Sequence, residues 1–200
     1  MTLSLEHDKV KNRKFAYVAI GGSWGGTAAL IKVLEAIPFN FPLPIVAILH
    51  RQKNGGGELV SILNKYLAIP AKEIEEKEPI NPGKLYLAPP NYHVLTEKDA
   101  TFSLCASENV YYSRPSISVT FESMAFAFRD KVIGILLSGA NADGSDGLKT
   151  ISEFGGLTII QDPEEAEIPS MPLSALKLLK PDFIFTKQEI NKFLLRLINL

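Results

Sequence analysis

Residues 15–20 (FAYVAI) form a short apolar, partly β-branched run that stops at two glycines, the pattern of a strand buried on both faces. Beyond a Gly-rich turn, residues 27–37 (TAALIKVLEAI) place Leu30, Ile31, Leu34 and Ile37 at helical spacing before Pro38 closes the helix. The order strand, tight turn, helix then repeats. Residues 45–49 are uniformly apolar, Gly55, Gly56 and Gly57 predict a loop, and residues 58–66 carry a helical stripe. A βαβα start of this kind predicts parallel strands with helices packed against them.

The middle of the chain changes rhythm. Residues 84–88 and 92–96 are extended in pattern, Glu97-Lys98-Asp99 signals a turn, and residues 101–105 resume the alternation, which predicts an inserted antiparallel hairpin. The mixed-charge run 72–78 reads as a solvated face. From Ser116 the alternation of helix and strand returns: a helix to about Phe128, a strand at 132–137, a polar Gly-rich turn, a helix to Phe154 and a strand at 157–161. A helix at 172–179, a strand at 183–186 and an amphipathic helix at 189–197 complete the chain. The predicted fold is α/β: a doubly wound, mostly parallel sheet with helices on both faces and the antiparallel hairpin inserted.

Composition narrows the choice of partner and compartment. With 200 residues, 46% hydrophobic and 22% charged, the chain suits one globular domain over residues 15–200 behind a polar leader at residues 1–14. A formal net charge of -1, with no cluster of Lys and Arg, argues against nucleic acid as a partner. Neither an apolar leader nor a spanning stretch is present, so no membrane insertion is expected. Cys105, the single cysteine, excludes an internal disulfide and a multi-cysteine metal site, and a cytoplasmic location follows as the expectation.

In doubly wound sheets, ligands bind beyond the carboxyl ends of the strands, near the point where strand order reverses. Three turns occupy such positions. Gly21-Gly22-Ser23-Trp24-Gly25 matches the G-x-S-x-G elbow, which exposes a serine hydroxyl on a strand-to-helix turn beside the free amides of the helix. A Gly-rich anion loop would use the same geometry. It matches neither G-x-G-x-x-G nor a Walker loop, and the second strand ends in His50 where a ribose-binding acid would stand. His50 is placed to act as a base; alternatively it packs under the following loop. The third turn, Ser138 to Gly147, offers Asp143 and Asp146, and spacing does not choose between them. A calcium loop fails there for lack of Gly at its sixth position and Glu at its twelfth. One of Asp143 and Ser145 is expected to cap the helix that follows. A nucleophile, a base and an orienting acid are thus available. Their order, Ser, His, Asp, differs from the Ser, Asp, His order of α/β-hydrolases.

Six segments together resemble the catalytic domain of the chemotaxis protein-glutamate methylesterases, the CheB family. They are AIGGSWGG at 19–26, ILH at 48–50, LYLAPPNYHVL at 85–95, SRPSISVTFESMA at 113–125, GILLSGANADGSDGL at 134–148 and IIQDPEEAEIPSMP at 159–172. The resemblance implies a serine hydrolase whose catalytic residues are Ser23, His50 and Asp143, favouring Asp143 over Asp146. By the same analogy the backbone amides of Trp24 and Ala140 bind the oxyanion, and no metal or organic cofactor takes part. The implied reaction is hydrolysis of glutamate γ-methyl esters on the cytoplasmic helices of chemoreceptors, with deamidation of certain glutamines as a related activity.

The sequence also departs from the family. Trp24 stands where Thr is common, and SGAN replaces a segment that usually reads like TGMG, so the substrate groove is expected to differ. His93 is expected to be structural, while Arg114, Met171 and Pro172 line or shape the site. Family members usually carry a phosphorylatable receiver domain ahead of the esterase. Fourteen leader residues leave no room for one, so control is expected in trans, through a separate response-regulator protein or through receptor availability. Two rival readings stand beside this one: a non-catalytic receptor-binding module on the same fold, and a related esterase or amidase with another acyl substrate.

Overall fold

The computed structural model describes residues 9–10, 13–50 and 58–199. The expected Gly55 to Gly57 loop and most of the leader lie outside them. Within the described part of the leader, Val10 packs into the core and Lys9 Nζ lies 3.1 Å from the Asp182 carboxylate.

Nine strands are present among the described residues: β1 (Tyr17–Gly22), β2 (Ile45–Leu49), β3 (Ala71–Glu73), β4 (Leu85–Leu87), β5 (His93–Thr96), β6 (Phe102–Cys105), β7 (Val132–Leu136), β8 (Leu157–Gln161) and β9 (Phe183–Phe185). Seven form one sheet in the order β3-β4-β2-β1-β7-β8-β9, every neighbouring pair parallel. The other two, β5 and β6, pair as an antiparallel hairpin. The fold is the doubly wound one that the alternating pattern predicts, hairpin included. On one side of β1 the sheet continues through β2, β4 and the edge strand β3, and the chain then crosses back to place β7 on the other side of β1. Strand order therefore reverses at β1, whose carboxyl end leads straight to Ser23.

Among the described residues, the two faces are covered by the helices α1 (Gly26–Leu34), α2 (Glu58–Tyr66), α3 (Ile117–Phe128), α4 (Ser145–Glu153), α5 (Ser170–Leu178) and α6 (Lys187–Arg196). Alternate residues of one strand serve opposite cores. Val18 and Ile20 join the cluster that holds Val33, Leu34 and Ile190, whereas Ala19 belongs to the one built on Ile117, Phe121 and Leu148. A fully buried Leu or Ile side chain contributes about 1.5–3 kcal/mol and a single hydrogen bond about 1 kcal/mol. Burial at β1, β2 and β7 thus fixes the three strand ends more firmly than any loop contact does.

Two sequence expectations need correction. The run 72–78 is not simply a solvated face: Lys72 and Glu73 belong to β3, which pairs with β4 at the edge of the sheet. Three residues are too few to display alternation. The strand carries a charged edge residue, Lys72, whose Nζ lies 2.8 Å from Glu78 and 3.0 Å from Glu75, and charge of this kind blunts edge-to-edge pairing. The first strand also runs two residues later than its apolar run, because Gly21 and Gly22 belong to it. A Cβ on Gly21 would lie 2.3 Å from Ile117 Cγ2. The bare backbone there is what lets the first residue of α3 press against β1.

Candidate active site

Ser23 and His50 follow directly on neighbouring strands. Gly22 is in register with Leu49, and the His50 amide donates to the Gly22 carbonyl at 3.1 Å. On the other side of β1, the Ser23 amide donates to the Ser138 carbonyl at 2.9 Å. Ser23, His50 and Ser138, which follow β1, β2 and β7, therefore meet at one edge of the sheet, with Ser23 in the middle. Gly139 is packed so closely that a Cβ there would lie 3.0 Å from Ser23 Cβ and 2.5 Å from Met171 Cε. Met171 thereby shapes the floor beside the serine.

Asp143 reaches this edge from the turn after β7 and is fully buried. His50 Nε2 lies 2.8 Å from its Oδ2. The same oxygen accepts from the Ile117 amide at 2.8 Å, and Oδ1 accepts from the Ser116 hydroxyl at 2.8 Å, the Ser118 amide at 3.0 Å and the Gly144 amide at 2.9 Å. Two of these donors are the first amides of α3, where the helix end favours negative charge. Burial by itself pushes the Asp143 carboxyl up. The hydrogen bonds from His50 and from the Ser118 and Ile117 amides together outweigh burial, and the carboxyl is held below its usual range. Both its oxygens are then acceptors at neutral pH, so Nε2 carries the imidazole proton and Nδ1 keeps a free lone pair.

That lone pair faces Ser113, whose hydroxyl lies 3.4 Å away; among the described residues, no hydrogen bond joins Ser23 to His50. Ser113 is a neighbour of His50 that sequence reasoning missed. Its hydroxyl also lies 3.5 Å from the Tyr111 carbonyl, so one proton is shared between two long contacts. The pairing of a turn residue with a histidine 63 positions earlier carries no local sequence signal.

The expectation that Asp143 or Ser145 caps α4 is overturned. Gly144 occupies the cap position with φ 91° and no side-chain hydrogen bond, because the Asp143 carboxylate is turned toward α3. Ser145 Oγ is buried, with no hydrogen-bond partner among the described residues. The side-chain cap belongs to α3, where Ser116 accepts from the Val119 amide at 3.4 Å while donating to Asp143. His93 is buried and structural: Nε2 donates to the Glu108 carbonyl at 2.9 Å and Nδ1 accepts from the Ser116 amide at 3.1 Å. It thus holds the residue that holds Asp143.

Asp146 has a different environment. In the first turn of α4 it accepts a hydrogen bond from the Tyr111 hydroxyl, which together with burial pushes the phenol up to about 12. Trp24 is exposed, and its carbonyl accepts from Ser138 Oγ at 2.9 Å. Among the described residues, the amides of Trp24 and Ala140 donate to no backbone carbonyl. Arg114 lines a cavity of about 140 Å³ with His50, Ser113 and Tyr112, its guanidinium donating to the Ala106 carbonyl at 2.7 Å. Tyr111 and Tyr112, beside it, have φ of 49° and 61°. A bulky residue held there costs about 1–3 kcal/mol.

A doubly wound sheet that ends in a serine elbow, a histidine and a sealed aspartate defines a hydrolase-like site. Residues 18–194 match the CheB methylesterase family, and the chain belongs to that family of enzymes. It is 46% identical over 180 residues to a Leptospira interrogans protein named for protein-glutamate methylesterase and protein-glutamine glutaminase activities, covering 90% of this chain and 93% of the relative. A protein of the same two names from Methanospirillum hungatei is 36% identical over 177 residues, covering 88% of this chain and 51% of the relative. The chain thus spans nearly the whole Leptospira relative but about half of the Methanospirillum one. The crystal structure of the Thermotoga maritima CheB methylesterase catalytic domain superposes with a TM-score of 0.86 at 28% identity, covering 93% of this chain and 98% of that one.

Proposed function

We propose that the chain hydrolyses glutamate γ-methyl esters, and deamidates glutamines, on the cytoplasmic helices of chemoreceptors through Ser23, His50 and Asp143, acting in the cytoplasm. The observation that carries this reading is the buried Asp143 carboxylate on His50 Nε2, which leaves Nδ1 as the basic nitrogen at the strand end next to Ser23. Ser23 Oγ attacks the γ-carbonyl and gives its proton to Nδ1, while Asp143 stabilises the imidazolium. The oxyanion is held by the Trp24 and Ala140 amides. Collapse expels methanol, which takes the proton from His50, and water then cleaves the acyl-serine by the same route in reverse. From a glutamine the leaving group is ammonia. Nδ1 must exchange its long contact with Ser113 for one with Ser23, and contacts of this kind commonly tighten only when substrate is bound. Among the described residues no helix is long and apolar enough to cross a membrane.

The test is incubation with a receptor cytoplasmic fragment carrying radiolabelled methyl esters. Volatile label released as methanol is the expected result. No release from a folded protein contradicts the proposal and favours a binding module on the same fold.

A further inference from the structure

Tyr111 and Tyr112 are the two central residues of a tight turn closed by reciprocal backbone hydrogen bonds between Val110 and Ser113, of 3.1 and 2.9 Å. Positive φ at both central positions is the signature of the mirror-image hairpin turn, which Asn-Gly adopts without strain and two tyrosines do not. The turn is pinned from several directions. The Tyr111 hydroxyl donates to Asp146, and Asn141 Nδ2 approaches the Tyr111 carbonyl at 3.5 Å. These contacts explain the first tyrosine.

They leave the second without a role in the fold. Tyr112 is 100% exposed, and among the described residues its side chain makes no hydrogen bond and stacks on no ring. Its backbone nevertheless holds the strained conformation, and it stands on the wall of the cavity that contains His50. That cavity, of about 140 Å³, is well below the roughly 300–1,000 Å³ of pockets that enclose a whole ligand. It has room for about one side chain, and Arg114 is among the residues that line it. Ser23 is not among its lining residues, so the cavity flanks His50 on the side of Ser113, and a polypeptide bound beside His50 would extend past it where Tyr112 is exposed.

We propose that Tyr112 is a specificity-determining residue: its ring packs against the polypeptide that flanks the reacting glutamyl side chain, and the strained turn is retained to present it. This rests on the esterase reading above. A strained residue whose side chain has no hydrogen-bond or ring partner among the described residues points to an external one, and tyrosine suits such contacts because a large rigid ring loses little conformational entropy when it is covered.

The experiment compares wild type, Tyr112→Gly and Tyr112→Phe on two esters: a methyl-esterified receptor cytoplasmic fragment, and the free γ-methyl ester of N-acetylglutamate. Tyr112→Gly relieves the turn, so its Tm is expected to hold or to rise by about 2–4 °C. The ratio of kcat/KM for the polypeptide to that for the small ester is expected to fall roughly tenfold, the effect of losing one hot-spot aromatic contact. Tyr112→Phe should keep the ratio, since the ring and not the hydroxyl makes the contact. An unchanged ratio in Tyr112→Gly overturns the proposal, as does a fall in Tm with equal losses on both esters. If wild type cleaves neither ester, the esterase reading fails as well, which separates that outcome from failure of the Tyr112 assignment alone.

Discussion

Asp143 and Asp146 sit in one acidic turn, yet their surroundings assign them different tasks. Asp143 is sealed from water, held by four donors besides His50, and stays ionised despite burial. Asp146 lies in the first turn of α4 with the Tyr111 hydroxyl on it and no contact to the imidazole. Replacing Asp143 by Asn puts an amide where His50 needs an acceptor, and about 10⁴ in kcat is expected to be lost. Asp146→Asn should cost less than about tenfold, since it only weakens a hydrogen bond from Tyr111 by making its acceptor neutral. Steady-state assays of the two variants, with circular dichroism to show that both are folded, check this; equal losses would contradict the assignment to Asp143. At this scale the sequence was partly legible. The elbow around Ser23 and a histidine at a strand end have local signatures, but two acids three positions apart do not distinguish themselves by spacing. Family resemblance pointed to Asp143. Ser113 and Tyr112 left no signal, because what marks them is a φ angle and a contact with His50.

Among the elements, α3 has the most to do with the site. Its amino end supplies two amides and the Ser116 hydroxyl to Asp143, and it reaches them because Ile117 fits between two bare backbones. One is Gly21 in β1; the other is Gly144, where a Cβ would lie 2.7 Å from Ile117 Cγ2 and 2.6 Å from Leu136 Cδ1. Gly144 also has φ 91°, so Gly144→Ala meets backbone strain and crowding together. A loss of about 1–3 kcal/mol is expected, read as a lower urea midpoint at unchanged slope. A midpoint equal to wild type would show that α3 and the turn are not locked in this way. The helices and the long strands were readable from periodicity, since each is long enough to repeat its pattern. The edge strand β3 is too short for that. Nor does any local pattern indicate that the helix beginning at Ile117 points its amides at an acid 26 positions later.

For the molecule as a whole, the doubly wound topology brings the ends of β1, β2 and β7 together, and the acyl-transfer chemistry proposed here follows from what stands there. The fold was legible because buried parallel strands read as uniform apolar runs, each ending at a turn rich in glycine or polar residues. The substrate proposed for it was legible only through resemblance. The claim that most needs testing is that Ser23, and not its neighbour Ser113, attacks the ester. Rapid acid quenching of wild type mixed with a methyl-esterified receptor fragment, followed by proteolysis and mass spectrometry, locates the acyl group. The account predicts an adduct on the peptide that contains Ser23, absent from Ser23→Ala along with on the order of 10⁶ in turnover. An adduct on Ser113, or methanol release at the wild-type rate by Ser23→Ala, would contradict it.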